Sequence, residues 1–160
     1  REYAVKARRN RDVVFYRDMI QADIGPVMAI AKLYEFPPPK DHFSFCLKKK
    51  GYWNKVMVRG NTIFCFFIFS NEFEMLHMMR HPDQKYKGTC TTVLGEIIKD
   101  NPLRRIFTWI RHSNASGRFF LEKNSFKVEG QLQGHFKNPA ETGLFMRSPL
   151  SLENRIAHFL

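Results

Sequence analysis

Glu74-Met75-Leu76-His77-Met78-Met79-Arg80-His81-Pro82-Asp83-Gln84-Lys85-Tyr86-Lys87-Gly88-Thr89-Cys90 is the stretch that decides how this 160-residue chain folds. Phe73 to Arg80 has little polar relief, which predicts a strand stopping at His81-Pro82. A polar loop bearing Gly88 follows. Beyond it Cys90, Val93, Leu94, Ile97 and Ile98 share one face of a helix that Asn101-Pro102 ends. A buried strand, a glycine-bearing loop and a helix N-terminus bring exposed backbone N–H groups and the positive end of the helix dipole to one point. An anion site is therefore expected at Lys85 to Cys90.

Working outward, Ile63 to Phe69 is an unbroken apolar run and reads as a buried central strand. Arg59-Gly60-Asn61 joins it to Lys55–Val58 as a hairpin. Further upstream, Ile24, Val27, Met28, Ala31 and Tyr34 form one helical face, with Asp23 placed to cap and Pro37-Pro38-Pro39 as the stop. A short helix follows across Asp41 to Lys49, and Val13-Val14-Phe15-Tyr16 reads as a strand. Downstream, Arg105 to Ile110 is a strand, Asn114 to Lys123 a helix, and Phe126 to Leu132 and Gly143 to Arg147 two closing strands. Hairpin strands followed by alternating strands and helices imply a mixed α/β domain, its sheet covered by helices on both faces.

The length suits one domain, and 44% apolar content with 16 Phe is that of a folded chain. Expected boundaries are a basic N-terminal extension over 1–12, the domain over 13–148 and a C-terminal extension over 149–160. No apolar stretch is long enough to cross a bilayer, so no membrane partner is expected. Cys46, Cys65 and Cys90 fit neither a disulfide framework nor a zinc site; buried thiols in a reducing, cytoplasmic setting are expected. The net charge of +11 favours polyanions, whether nucleic acid, a ribosome surface or a phosphorylated cofactor. Its cations gather at Lys6, Arg8, Arg9 and Arg11, at Lys48-Lys49-Lys50, and from Arg80 to Lys87.

Lys85-Tyr86-Lys87-Gly88-Thr89-Cys90 resembles the cofactor loop of the GNAT superfamily, Gln/Arg-x-x-Gly-x-Gly/Ala, with Lys at the first position and Cys at the last. Arg111-His112-Ser113-Asn114 through Phe126-Lys127-Val128-Glu129-Gly130 is similar to the family's second half, usually Asn-x-x-(Ala/Ser)-x-x-x-Tyr-x-x-x-Gly-Phe, with Leu121 at the Tyr and Ser125 at the Gly. The closing segment to Gly143-Leu144-Phe145-Met146-Arg147 looks most like the protein N-terminal acetyltransferases, including those acting on ribosomal proteins.

The resemblance implies a single domain with a central, splayed, mostly antiparallel sheet of about seven strands, and acetyl-CoA as cofactor. It implies that the backbone of Met78, Met79 and Arg80 runs beside the pantetheine amides. Lys85, Tyr86, Lys87, Gly88 and Thr89 would hold the pyrophosphate, Cys90 would close that loop, and Asn114 would touch the pantetheine arm. Acetyl transfer to an amine needs a base, an oxyanion donor and tolerance of the departing thiolate. Glu74 falls where histone-acetylating relatives carry their base, His77 is the alternative, and a backbone N–H near Met79 would be the oxyanion donor. Leu121 leaves no phenol at the usual acid position. Either the thiolate leaves unaided, or Tyr34, Tyr86 or His135 substitutes, or turnover is slow or absent. Trp109 stands where N-terminal acetyltransferases often place a carboxylate, which shifts weight to Glu74.

Acceptor contacts are expected from Tyr34, Glu35 and Phe36 and from His135 and Phe136. The implied activity is N-acetyl transfer to a primary amine of a protein, peptide or small molecule. The alternative is a weak or inactive GNAT-fold module that binds nucleic acid or a protein through its basic surface.

Overall fold

A computed structural model of the chain describes residues 3–6 and 13–150. The chain divides into two compact units, Arg1–Val93 and Leu94–Leu160. In the first, strands β1 (Tyr3–Lys6), β2 (Val13–Asp18), β3 (Trp53–Arg59), β4 (Thr62–Phe69) and β5 (Met75–Arg80) form one antiparallel sheet in chain order. The expected N-terminal arm is thus in part a strand, β1, laid against β2. Arg8, Arg9, Arg11 and the segment from 151 onward lie outside the described residues.

β4 lies between β3 and β5, and Phe64 to Phe69 are all at most 1% exposed, as the apolar run predicted. On one face of it Phe66 and Ile68 join Val27, Ile30 and Ala31 of helix α1 (Ile24–Ala31) and Phe43 and Cys46 of α2 (Lys40–Lys48) in a single core. On the other face Phe67 meets Tyr16, Phe69 meets Phe73, and Cys65 meets Cys90 in the first turn of α3 (Thr89–Asp100). Each buried Phe contributes on the order of 2–3 kcal/mol of transfer free energy, so this strand anchors the unit. Gly60 adopts φ +61° in the expected β3–β4 turn.

Two local expectations change. Asp23 stands at the N-cap position of α1 but makes no side-chain bond into the helix; its carboxylate accepts the Ile20 N–H at 2.8 Å and pairs with Arg17 at 2.7 Å, stabilising the 3-10 turn before it. α1 stops at Ala31 rather than reaching Tyr34, because Leu33 and Tyr34 tighten into i→i+3 bonds onto Ile30 and Ala31.

In the second unit β6 (Phe107–Arg111), β7 (Lys127–Phe136) and β8 (Glu141–Arg147) form an antiparallel sheet in the order β6-β8-β7. Helix α4 (Ala115–Lys123) is begun by Asn114, whose side chain accepts the Gly117 N–H at 2.9 Å. A Cβ on Gly117 would stand 2.5 to 2.8 Å from that side chain, so the cap requires glycine there. The helix ends with Ser125 at φ +68°, the Ser125 N–H on Glu122 and the Phe126 N–H on Leu121, the reciprocal pair of a Schellman ending. The mostly antiparallel arrangement expected of the sequence is found, among the described residues, as eight strands in two sheets.

Candidate functional site

β5 is the last strand of its sheet; Arg80, Met79 and Met78 pair with Cys65, Phe66 and Phe67, and their other edge carries no strand of that sheet. Half-buried Met78 to Arg80 therefore present one ladder edge for an extended ligand. The Tyr34 hydroxyl donates to the Arg80 carbonyl and ties the segment after α1 to this end of the strand. Burial pushes the Tyr34 phenol above its ordinary range. Glu35 and Phe36 beside it are exposed.

Past β5 the His81 N–H bonds the Phe64 carbonyl at 2.6 Å, and then Asp83 organises the loop. Its carboxylate accepts the Lys85 N–H at 3.0 Å, its carbonyl accepts the Tyr86 N–H at 3.1 Å, and the Lys87 N–H bonds Gln84 at 3.1 Å. Three amides expected at the pyrophosphate are thereby committed within the loop. Tyr86 is buried and stacked on Phe64 at 4.3 Å, so its side chain belongs to the core. Gly88 then turns the chain at φ +88°, and a Cβ there would meet nothing within 4 Å. The N–H groups of Gly88, Thr89, Cys90 and Thr91 have no acceptor among the described residues. They lead α3, at the positive end of its dipole. Lys85 and Lys87 are exposed beside them, the Lys85 ammonium 3.7 Å from Asp83 and 5.0 Å from the Tyr86 ring centre.

The side chain of Cys90 does not crowd this loop. It turns inward, its Sγ 3.3 Å from Cys65 Sγ, and Thr89 likewise folds back to donate to the Tyr86 carbonyl at 2.6 Å. What remains at the mouth is backbone, glycine and lysine.

At the opposite end of β5, half-buried Glu74 directly precedes the strand. Burial, and then the charge of Glu72, raise its carboxyl from its ordinary value. His77 is differently placed. Its Nε2 lies 2.7 Å from His42 Nε2 and its ring packs edge-on to Phe43. Burial, and then His42, lower it to about 4, so the half-buried imidazole is neutral at physiological pH. Sequence alone does not reveal His42: its spacing from Cys46 on α2 reads only as helix, and no pattern links it to β5.

In the second unit, the Asn114 amide oxygen is engaged as the cap of α4, and Leu121 is buried at 3% exposure. Trp109 stacks on His135 at 4.1 Å, and Arg111 sits 4.7 Å over the Phe136 ring while pairing with Glu141 at 3.2 Å. Glu141 also accepts the Ser113 N–H at 2.6 Å. His135 is thus held by Trp109 and Phe136, and Phe136 by Arg111 and its register partner Glu141; Arg111 lies opposite Gly143 and reaches Glu141 diagonally, a pairing the sequence reading did not single out. Among the described residues no group of three or more His, Cys, Asp or Glu could hold a metal ion, and no helix is long and apolar enough to cross a membrane.

No protein-family model matches the sequence, and no curated protein matches it. Solved structures do. The ribosomal-protein-S18-alanine N-acetyltransferase of Escherichia coli superposes with a TM-score of 0.73 at 16% identity, over 86% of this chain and 94% of that one. The GNAT superfamily phosphinothricin acetyltransferase of Sinorhizobium meliloti, solved with AcCoA, gives 0.63 at 20% identity over 86% and 88%. The spermidine/spermine N-acetyltransferase SpeG of Vibrio cholerae gives 0.66 at 13% identity over 89% and 96%. At such identities the likeness is one of architecture, and the chain has the fold of the GNAT acetyltransferases.

Proposed function

We propose that this chain is an acetyl-CoA-dependent N-acetyltransferase acting on the primary amine of a protein or peptide. The observation that carries the reading is the left-handed Gly88, open to solvent, followed by four unclaimed N–H groups at the head of α3. That is a built receptor for a diphosphate, at the loop position the GNAT fold uses. Relative to the sequence-based expectation the donors move forward, from Lys85–Thr89 to Gly88–Thr91, with Lys85 and Lys87 supplying charge.

Bound acetyl-CoA would supply the acetyl group as a thioester. Met78 to Arg80 would hold its arm by their backbone edge, and a β5 N–H near Met79 would meet the negative charge that develops on the carbonyl oxygen. Glu74 would take the proton from the acceptor ammonium. With Leu121 buried and Tyr86 stacked in the core, Tyr34 is the phenol left beside β5 to meet the departing thiolate.

A polycationic small amine is disfavoured as acceptor by the net charge of +11. The exposed apolar Leu33, Tyr34 and Phe36 suit a peptide better, and the ribosomal-protein acetyltransferase among the structural neighbours acts on a protein amine. Buried free thiols support a reducing, cytoplasmic setting.

Isothermal calorimetry with acetyl-CoA tests the loop. The wild-type chain should bind and Lys87→Ala/Gly88→Trp should not; equal affinities refute the assignment. Glu74→Gln should lower turnover on a free-amine peptide with cofactor affinity kept. In Glu72→Gln, which removes a charge that raises Glu74, the acid limb of the rate profile should move to lower pH. An unmoved limb removes Glu74 as the base.

A further inference from the structure

Two of the three cysteines share a place that the proposed chemistry does not use. Cys65 is on β4, wholly buried among phenylalanines, and Cys90 is in the first turn of α3, 8% exposed. Their sulfurs are 3.3 Å apart, in contact but unbonded. A disulfide needs about 2.05 Å, so closure asks for a movement of about 1.3 Å. Cys46 lies on the other face of the sheet, in the core with Val56 and Phe66 and 3.6 Å from His42.

We propose that Cys65 and Cys90 are a modification site: a dithiol that a small hydroperoxide closes to a disulfide, fastening the first turn of α3 to β4. Cys90 is the sulfur that reacts. It heads a helix, where the dipole favours thiolate, and the hydrogen bond from Cys65 and then the Arg80 charge lower its thiol despite burial. Burial pushes the Cys65 thiol up and keeps it protonated. Cys90 is the less buried of the two, and its slight exposure makes a small peroxide, not a bulky disulfide reagent, the oxidant of the proposal. The Cys90 thiolate attacks the O–O bond, taking one oxygen as sulfenic acid and releasing water or an alcohol. The Cys65 sulfur then displaces hydroxide from that sulfur, the S–S bond forms, and a second water leaves with the thiol proton. Two electrons pass from the sulfurs to the peroxide.

The bond acts on the neighbouring loop. Drawing Cys90 inward shifts the N–H groups of Gly88, Thr89 and Cys90 away from the mouth, so oxidation lowers affinity for a diphosphate there; this step rests on the cofactor reading above.

The full chain, treated with hydrogen peroxide and counted for free thiols in denaturant, should go from three to one and return to three with dithiothreitol. Peptide mapping should place the link between Cys65 and Cys90. Cys46→Ala should go from two to none, while Cys65→Ser should keep Cys46 free and carry Cys90 on to sulfinic acid. An unchanged thiol count, or wild-type Cys90 reaching sulfinic acid with Cys65 still alkylatable, overturns the pair. Calorimetry with acetyl-CoA should show at least tenfold weaker binding after oxidation, restored by reduction; equal affinities overturn the coupling. A reduced protein that does not bind acetyl-CoA refutes the cofactor reading instead, and the thiol count still decides the pair.

Discussion

The start of α3 and the end of α4 both depart from the GNAT pattern at a glycine or small-residue position, and the chain absorbs the two departures in opposite ways. At Cys90 the added side chain is turned into the core against Cys65, where it packs. At Ser125 the side chain stays outside, and the backbone keeps the left-handed angle that glycine would adopt freely, φ +68°. A glycine can be demanded by lack of room or by conformation. The first demand disappears when the side chain has somewhere else to go; the second stays with the backbone whatever surrounds it.

The largest effect that sharpens this contrast is expected at Cys90→Gly. Restoring a family-type residue there removes a buried thiol, leaves Cys65 facing a void, and puts glycine inside the first turn. Together these should cost about 2 kcal/mol. Urea unfolding in reducing buffer measures it through the midpoint at unchanged slope. A variant as stable as the wild type would mean that the Cys65–Cys90 contact adds nothing, and that lack of room was the wrong distinction.

The same contrast explains how much was legible beforehand. Ile63 to Phe69 announced the central strand because burial on both faces leaves an unbroken apolar run, and that pattern survives any tertiary detail. Helix α3 read true because its face repeats at 3.6 residues, down to its stop at Asp100 before Asn101-Pro102, whereas α1 ends at Ala31, short of the Tyr34 its periodicity reached. Gly88 pointed to the loop, since a lone glycine between strand and helix marks a turn of special angle. What sequence could not supply was commitment. Whether the Lys85, Tyr86 and Lys87 amides are free depends on Asp83 and Gln84 curling into a 3-10 turn, a local choice with several outcomes. Whether His77 is a base or a core residue depends on His42, which meets it only when α2 docks on the sheet. Short-range pattern fixes elements; the state of a titratable or hydrogen-bonding group is fixed by what long-range packing brings beside it.

The smaller effect lies at the other pole of the comparison. Ser125 sits one residue beyond the last cap of α4, its N–H on Glu122 and that of Phe126 on Leu121, so its angle is held by two hydrogen bonds and by Phe126, which is buried. A non-glycine residue in this region carries a penalty on the order of 1–2 kcal/mol. Glycine would relieve it, while its extra freedom in the unfolded chain returns part of the gain, so Ser125→Gly should stabilise by about 0.5–1 kcal/mol. Ser125→Val, whose branched Cβ crowds the same angle, should move the urea midpoint the other way. Since the side chain packs against nothing that the cap requires, the order Gly, Ser, Val isolates backbone conformation from packing, and a loss of stability in Ser125→Gly would break the contrast with Cys90.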